Sequence, residues 1–214
     1  MIYQHELEER KPNLQAMCTS LPPVDPDYEA MRDYLQQRKL SYDLAVMNGW
    51  YQSYQAGDHY LRMVIPAVTH VPGHIFWQAR DMTGNAHRRY QSPTGPRHEA
   101  LVTVTPEDEP KGVVIVEGPT DALAAAGEGY LGIALMGMLP SSKTVAHLVK
   151  LIPNKVKVLV LLDRDSEASG PRLSWKLATH GIRSHVAFLP GPEKDIAACP
   201  PIKRAKFLKT VFSN

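Results

Sequence analysis

A regular alternation of strands and helices in the second half of the chain constrains the fold most. Short apolar runs typical of buried strands occupy residues 113–116, 130–135, 156–162 and 183–189. Helical patterns follow them at 119–126, 142–150, 171–180 and 201–212. Alternating elements of these lengths predict a mostly parallel sheet with helices on both faces. We therefore expect an α/β domain over 113–200, followed by a basic C-terminal helix over 201–214.

The first half of the chain has a different pattern. Residues 1–24 are polar and interrupted by prolines, which indicates an N-terminal arm. Asp25-Pro26 predicts a helix start, with the helix running to about Leu40, and Ser41 predicts the cap of a second short helix. Strands are predicted at 61–66 and 74–79. These elements form a small α+β subdomain over 25–104, and the acidic, proline-flanked segment 105–112 is predicted to be a linker.

Composition excludes several classes of protein. The chain has 214 residues, 43% hydrophobic and 21% charged, which is typical of a globular protein. No apolar run approaches the ~20 residues that span a bilayer, and the N-terminus does not resemble a secretory signal, so we expect no membrane association and a cytoplasmic location. Two cysteines, Cys18 and Cys199, cannot form a disulfide framework or a four-cysteine zinc site. No zinc is expected.

The net charge of +2 hides an uneven distribution. Residues 59–98 carry one acid, Asp81, and five arginines: Arg62, Arg80, Arg88, Arg89 and Arg97. The last 14 residues carry four basic and no acidic side chains. Such zones are candidate phosphate-binding surfaces, although charge alone favours a solvated face.

Acidic side chains follow the predicted strands at the point where each strand ends. Glu117 follows the first strand, and Asp163 and Asp165 follow the third, two residues apart in a segment expected to be extended, so that both side chains point the same way. Ligands bind at the carboxyl ends of the strands in an open parallel sheet. Carboxylates that converge there repel each other unless a cation neutralises them, and oxygen ligands suit Mg²⁺ or Mn²⁺. Individually, Glu117 or Asp165 could instead be a helix cap.

The motif Glu117-Gly118-x-x-Asp121, with Asp163-x-Asp165 after another strand, resembles the TOPRIM domain. That domain occurs in bacterial-type primases, type IA and II topoisomerases, small nucleases and recombination-mediator proteins. The resemblance implies that Glu117 has a catalytic or acid–base role and that Asp163 and Asp165 bind the divalent metal.

The first half resembles the polymerase core of bacterial and phage DNA primases. Four segments carry this similarity: 34–41, 62–66, 78–84 and 89–93. The segment 188–195 resembles the late lysine–aspartate motif of the same core, which implies that Lys194 and Asp195 lie beside the metal.

The resemblance implies three sets of site residues. Expected catalytic residues are Glu117, Asp121, Lys194 and Asp195. Expected metal ligands are Glu117, Asp163 and Asp165. Expected contacts to nucleic acid or nucleotide are Arg62, Arg80, Arg88, Arg89, Tyr90 and Arg164.

Three functions are compatible with these features. The first is a primase-like nucleotidyltransferase that makes short RNA primers on single-stranded DNA from nucleoside triphosphates. The second is a metal-dependent nuclease acting on RNA or DNA, and the third is a non-catalytic module that binds nucleic acid or a replication protein. Full-length primases usually begin with a zinc ribbon, and this chain has no CxxC pair. A zinc-ribbon protein or a replicative helicase acting in trans is therefore a further expected partner, and a bacterial, phage or plasmid context is expected.

Other patterns are assigned to the fold. The GxGxxG sequence at 127–132 follows a helix instead of a strand, so it predicts a helix end and a turn. His70 and His74 flank a turn and have no cysteine partners, which argues against zinc. The aromatic residues at 50, 51, 54 and 77 are expected in the core rather than stacked on bases.

Overall fold

The computed structural model describes residues 24–25, 27–53, 61–69, 76–93, 99–136, 140–166 and 168–213. The predicted arm, except for Val24, lies outside these residues, as do Tyr54 and the His70–His74 pair. No helix in the described part of the chain is long and apolar enough to cross a bilayer.

The first half contains two helices and five strands among its described residues. These are α1 (Glu29–Gln37), α2 (Tyr42–Met47), β1 (Tyr51–Ser53), β2 (Arg62–Thr69), β3 (Phe76–Asp81), β4 (Tyr90–Gln91) and β5 (Ala100–Val104). The second half alternates as predicted: β6 (Val113–Val116), α3 (Pro119–Gly127), β7 (Leu131–Ala134), α4 (Ser142–Leu151), β8 (Val158–Val160), α5 (Ser169–Ala178), β9 (Ser184–Val186) and α6 (Pro201–Ser213).

The nine described strands form one sheet in the order β4-β3-β2-β5-β7-β6-β8-β9, with β1 beside β2. The strands of the second half, β7, β6, β8 and β9, are parallel to their neighbours. The strands of the first half pair antiparallel with each other, and β5 pairs antiparallel with β7. The sheet thus joins an antiparallel half to a parallel half, which confirms the α/β fold preceded by a smaller α+β part.

Helices cover both faces of the parallel half. On β6, Val114 and Val116 face one core with α3, whereas Val113 and Ile115 face the other core with α4 and α5. Alternate residues of a strand point to opposite faces, which explains why the whole run is apolar. The first core also contains residues of α1 and α2, such as Leu35 and Leu44, so the two halves share it.

Strand β5 carries the sheet from one half to the other. Its first two residues, Ala100 and Leu101, pair with β2, and its last three pair with β7. The segment 105–112 that follows is tied to α2, because the Asn48 side chain donates to the Thr105 carbonyl at 3.0 Å and accepts from the Thr105 amide at 2.8 Å. The division into domains at this segment stays a prediction. The two hydrogen bonds between Asn48 and Thr105 cross that division.

The predicted start of the first helix is wrong. Helix α1 begins at Glu29, after Tyr28, whose φ is 45°. The Asp25 carboxylate instead accepts from the Gln52 side-chain amide at 2.6 Å, and the Asp25 amide donates to the Gln52 carbonyl. Asp25 also accepts from the Asp27 amide at 3.0 Å, so it docks the chain against β1 and forms a local turn, and the helix begins only at Glu29.

Two residues explain local features of the sheet. A Cβ at Gly132 would lie 2.2 Å from the carbonyl oxygen of Ala122, so glycine on β7 lets the backbone of α3 approach closely. Pro66 lies in β2 between the residues that pair with β1 and those that pair with β5. Its missing N–H is tolerated because that edge of β2 changes partner there.

Candidate functional site

Glu117 and Asp163 meet at the carboxyl ends of β6 and β8, which are neighbouring parallel strands. The Asp163 amide donates to Glu117 Oε1 at 3.2 Å. Both residues are half-buried. The sheet therefore brings these two predicted metal ligands together, as parallel strand ends should.

The Asp163–Asp165 segment is not extended as expected. Residues Arg164–Ser166 form a 3₁₀ turn, in which the Ser166 amide donates to the Asp163 carbonyl at 2.9 Å. Both carboxylates nevertheless face the same cation: Lys194 Nζ lies 3.7 Å from Asp163 Oδ2 and 3.2 Å from Asp165 Oδ2. The 3₁₀ turn therefore still places both acids within reach of one lysine.

These contacts shift the pKa values of the charged groups. A hydrogen bond from its own amide and then the Lys194 ammonium lower the pKa of Asp165, and the hydrogen bond to Asp165 raises the pKa of Lys194. Burial and then the nearby carboxylates of Glu117 and Asp195 raise the pKa of Asp163 to about 6, against the effect of Lys194. The site therefore holds more negative charge than one ammonium balances.

The chemistry of this donor set fits a hard divalent cation. Its oxygens come from carboxylates, and the charges of Glu117 and Asp195, which add to the effect of burial in raising the pKa of Asp163, are what a cation would offset. Among the described residues, however, no three side chains of His, Cys, Asp or Glu are gathered as ready metal ligands. The Lys194 ammonium stands in the place of a cation between Asp163 and Asp165, so assignment of Glu117, Asp163 and Asp165 as ligands stays a prediction.

Asp121, from the first turn of α3, is buried behind this site. It is 6% exposed, and its Oδ1 accepts from the Ala197 amide at 3.0 Å. Burial and then the Asp195 charge raise the pKa of Asp121, whereas Arg80 lowers it. Asp195 itself accepts from the Ala198 amide at 2.7 Å. Both aspartates therefore anchor the turn that carries Lys194.

Arg80 on β3 belongs to an alternating series of arginine and tyrosine side chains. Its guanidinium carbon lies 5.4 Å from the ring centre of Tyr34 and 5.0 Å from that of Tyr90, and Nη1 donates to the Tyr90 hydroxyl. The guanidinium carbon of Arg38 also lies near Tyr34, 4.9 Å from its ring centre. That of Arg89 lies 5.8 Å from the ring centre of Tyr90. These cation–π contacts hold a buried positive charge close enough to lower the pKa of Asp121.

Arg80 has unused hydrogen-bonding capacity. It is 3% exposed, and its Nε is buried without a hydrogen-bond partner among the described residues. The positive charge of Arg80, in the first half of the chain, lowers the pKa of Asp121, in the second half. The site is therefore assembled from both halves of the chain.

The other predicted phosphate contacts differ in exposure. Arg88 and Arg89 are exposed, whereas Arg62 is 3% exposed and its Nη2 donates to the Arg88 carbonyl at 3.0 Å. Arg164 donates from Nη2 to the carbonyls of Leu189 and Gly191. Arg62 thus supports the segment that presents Arg88, and Arg164 supports the loop before Lys194.

Sequence reasoning missed the roles of Tyr34 and Arg38. The two residues are four apart on α1, a spacing that places side chains on one helix face and could have indicated their contact. Their position beside Arg80 depends on how α1 packs against β3, which no local pattern shows. The aromatic residues Trp50, Tyr51 and Trp77 are buried in the core as predicted.

The chain is similar to several solved primase structures. It aligns with a structure of Aquifex aeolicus primase containing the zinc-binding and RNA polymerase domains, with a TM-score of 0.64 and 16% identity over 86% of this chain and 55% of that one. It therefore spans about half of that protein chain. The RNA polymerase domain of Mycobacterium tuberculosis primase DnaG gives a TM-score of 0.60 at 16% identity, covering 88% and 75% of the two chains.

A phage protein has the same fold. The primase fragment of the bacteriophage T7 primase-helicase aligns with a TM-score of 0.55 and 18% identity, covering 82% of this chain and 72% of that one. No protein-family model matches the chain, and no curated protein is similar to it in sequence. This chain thus has the fold of the RNA polymerase domains of DNA primases.

Proposed function

We propose that the chain is a primase-like nucleotidyltransferase that synthesises short RNA primers on single-stranded DNA. The observation that carries this proposal is the meeting of Glu117 and Asp163 at adjacent strand ends, with Lys194 bound to Asp163 and Asp165. Arg80 from the other half acts on the buried Asp121, which lies behind these carboxylates. An acidic site opposed by arginines can accommodate both a divalent cation and the phosphates that it accompanies.

Each predicted residue has a distinct task in this proposal. Glu117, Asp163 and Asp165 would hold Mg²⁺ or Mn²⁺, which supplies charge neutralisation and orientation of phosphate oxygens when bound. Glu117 would also accept the proton of the attacking 3′-hydroxyl. Lys194 would turn from the carboxylates to the phosphates of the incoming nucleoside triphosphate.

The remaining residues position these groups or neutralise charge. Asp121 and Asp195 would hold the turn of Lys194 through the amides of Ala197 and Ala198. Arg80 and Tyr90 would lie at the nucleotide, and the exposed Arg88 and Arg89 would contact template phosphates.

The ligands of structural neighbours support the proposal. One neighbour is a DnaG primase catalytic domain bound to single-stranded DNA, with a TM-score of 0.55 and 17% identity. Another match comes from a bacteriophage T7 assembly that contains the lagging-strand DNA polymerase, the primase domains of two gp4 subunits, an RNA/DNA hybrid and dTTP. The same classes of ligand are proposed for this chain, with a replicative helicase or a zinc-ribbon protein acting in trans.

Primer synthesis tests the proposal directly. The chain, single-stranded DNA of mixed sequence, labelled ribonucleotides and Mg²⁺ or Mn²⁺ should yield short RNA products, and Asp163→Ala should abolish them. Asp108→Ala is the matched control, because Asp108 is an exposed acid in the 105–112 segment. Absence of product, even with a replicative helicase and a zinc-ribbon protein added, would contradict the proposal. Metal-dependent cleavage of the DNA or RNA that is lost in Asp163→Ala would instead favour the nuclease.

A further inference from the structure

A second basic surface lies outside the carboxylate site. Segments 129–162 and 168–192 contain no aspartate or glutamate but seven basic residues. These are Lys143, Lys150, Lys155, Lys157, Arg172, Lys176 and Arg183. The acids at 163, 165 and 167 lie between these two segments, so the net charge summed over the whole region conceals how basic the segments are.

Helices α4 and α5 present part of this charge as one surface. Both pack on the same core, through Val145 and Leu148 of α4 and Leu173 and Leu177 of α5. Lys176 of α5 donates from Nζ to the carbonyl of Pro140, just before α4, at 2.9 Å. This contact fixes the two helices side by side.

The outer sides of the two helices carry the α4–α5 surface, which consists of Lys143, Lys150, Arg172 and Trp175. All four side chains are exposed. Trp175 is 70% exposed, whereas Trp50 and Trp77 are 1% and 5% exposed. Arg172 precedes Trp175 by three residues, so the guanidinium and the indole lie on the same face of α5. The indole of Trp175 therefore offers a free aromatic face next to positive charge.

We propose that the α4–α5 surface binds single-stranded DNA, with a base stacked on Trp175 and phosphates held by Arg172 and Lys143. Base stacking on an exposed aromatic among basic side chains is how single strands are bound without sequence preference. A tryptophan beside an arginine could also serve a protein partner, but segments 129–162 and 168–192 offer seven basic residues and no acid, a charge that the phosphates of a nucleic acid neutralise. Of the large exposed apolar side chains in the described residues, only Trp175 lies on α4 or α5. The surface therefore suits a nucleic-acid strand better than a protein.

This surface goes beyond the proposed function, because it lies outside the residues assigned to nucleotide transfer. Helices α4 and α5 cover the opposite face of the sheet from α3 and Asp121. The surface is still close to the site in the chain, since α5 begins at Ser169, four residues after Asp165. A strand bound there would be held next to the carboxylates without occupying them.

Tryptophan quenching reports on this surface directly. Because Trp50 and Trp77 are buried, iodide should quench mainly Trp175 in the full chain. Oligothymidylate should protect Trp175 from iodide, and the protection should be lost at high salt. Protection by an acidic peptide but not by oligothymidylate would overturn the proposal and indicate a protein partner. Protection in a chain that makes no primers would support this surface and count only against the proposed function.

Affinity measurements on variants complete the test. Fluorescence anisotropy with labelled oligothymidylate should show roughly a tenfold loss for Trp175→Ala, with Trp175→Phe close to the unchanged chain. Ile202→Ala is the matched control, because Ile202 is 85% exposed on α6. The double change Lys143→Ala and Arg172→Ala should reduce the slope of log affinity against log salt by about 1.4, at 0.7 per phosphate contact.

Two results would contradict the proposal. One is an unchanged affinity for Trp175→Ala with circular dichroism showing an intact fold. The other is an equal loss for Arg172→Ala and for Lys209→Ala, an exposed lysine on α6, because net charge rather than this surface would then govern binding.

Discussion

At the scale of single residues, the candidate site is a case of crowded negative charge. Asp163 faces Glu117, Asp165 and Asp195, and one ammonium, that of Lys194, offsets them. Burial and then the repulsion of Glu117 and Asp195 raise the pKa of Asp163 to about 6. A folded protein that keeps such a group ionised at neutral pH loses stability by doing so.

Replacing Asp163 by asparagine should therefore stabilise the metal-free protein at neutral pH. The folded-state pKa of about 6 exceeds the usual 3.8, so the contribution of Asp163 to stability is present at low pH and lost as pH rises through about 6. Urea unfolding without metal should give Asp163→Asn a free energy of unfolding about 1 kcal/mol above the unchanged chain at pH 7.5, after allowing for solvent screening. The difference should vanish near pH 4.

Two measurements check the cause of this effect. Mg²⁺ should raise the stability of the unchanged chain at pH 7.5 and leave Asp163→Asn nearly unaffected, which would close the difference. Asp108→Asn should show no such dependence on pH. A less stable Asp163→Asn at pH 7.5 without metal would mean that the Lys194 contact outweighs the repulsion.

At the scale of elements, α3 and β7 illustrate how closely the parallel half is packed. Every residue from Pro119 to Ala126 is buried, and four of them are alanines, so the helix lies directly on the sheet. Gly132 on β7 completes this approach, because its missing Cβ leaves room for the Ala122 carbonyl.

Replacing two glycines by alanine, one at a time, should separate the effect of close packing on the free energy of unfolding from the effect of helix propensity. Gly132→Ala should lower the free energy of unfolding by about 3 kcal/mol, since its Cβ would overlap the backbone of α3. Gly127→Ala, at the end of the same helix, should raise it by about 0.5 kcal/mol, because nothing lies within 4 Å of the new Cβ. Chemical denaturation measures both, and equal effects would show that the approach of α3 to β7 is not tight.

Sequence periodicity predicted the elements of the second half because buried parallel strands are continuous apolar runs. The strands at 113–116 and 131–134 and helices α3, α4 and α6 lie within one or two residues of their predicted bounds. Helix α1 starts later than predicted, because Asp25 binds Gln52 across 27 residues. The meeting of Glu117 and Asp163 follows from strand order, whereas the contact of Arg80 with Tyr34 depends on tertiary packing.

At the scale of the whole molecule, the two halves are joined by a shared core and by backbone contacts. Met31 and Leu35 of α1 belong to the same core as Ala122 and Leu159. Asn48 adds a side-chain link to both backbone groups of Thr105. This continuity predicts that the halves unfold together.

The Asn48 link gives a test of that cooperativity. Asn48→Ala should lower the free energy of unfolding by about 2 kcal/mol, because it leaves both backbone groups of Thr105 without this partner. Tryptophan emission, measured in a Trp175→Phe background so that it reports on Trp50 and Trp77 of the first half, should still change at the same urea concentration as far-UV circular dichroism. Asn154→Ala, at an exposed position, is the control. Separate transitions would contradict a shared core.

The way β5 joins the sheet has a mechanical consequence. No residue of β5 pairs on both sides: Ala100 and Leu101 pair with β2, and Val102 to Val104 pair with β7. Torsion of the backbone between Leu101 and Val102 would therefore tilt one half against the other without breaking a ladder hydrogen bond. Arg80 on β3 and the carboxylates at the ends of β6 and β8 lie on opposite sides of this pivot, so a small rotation there would change the distance between them.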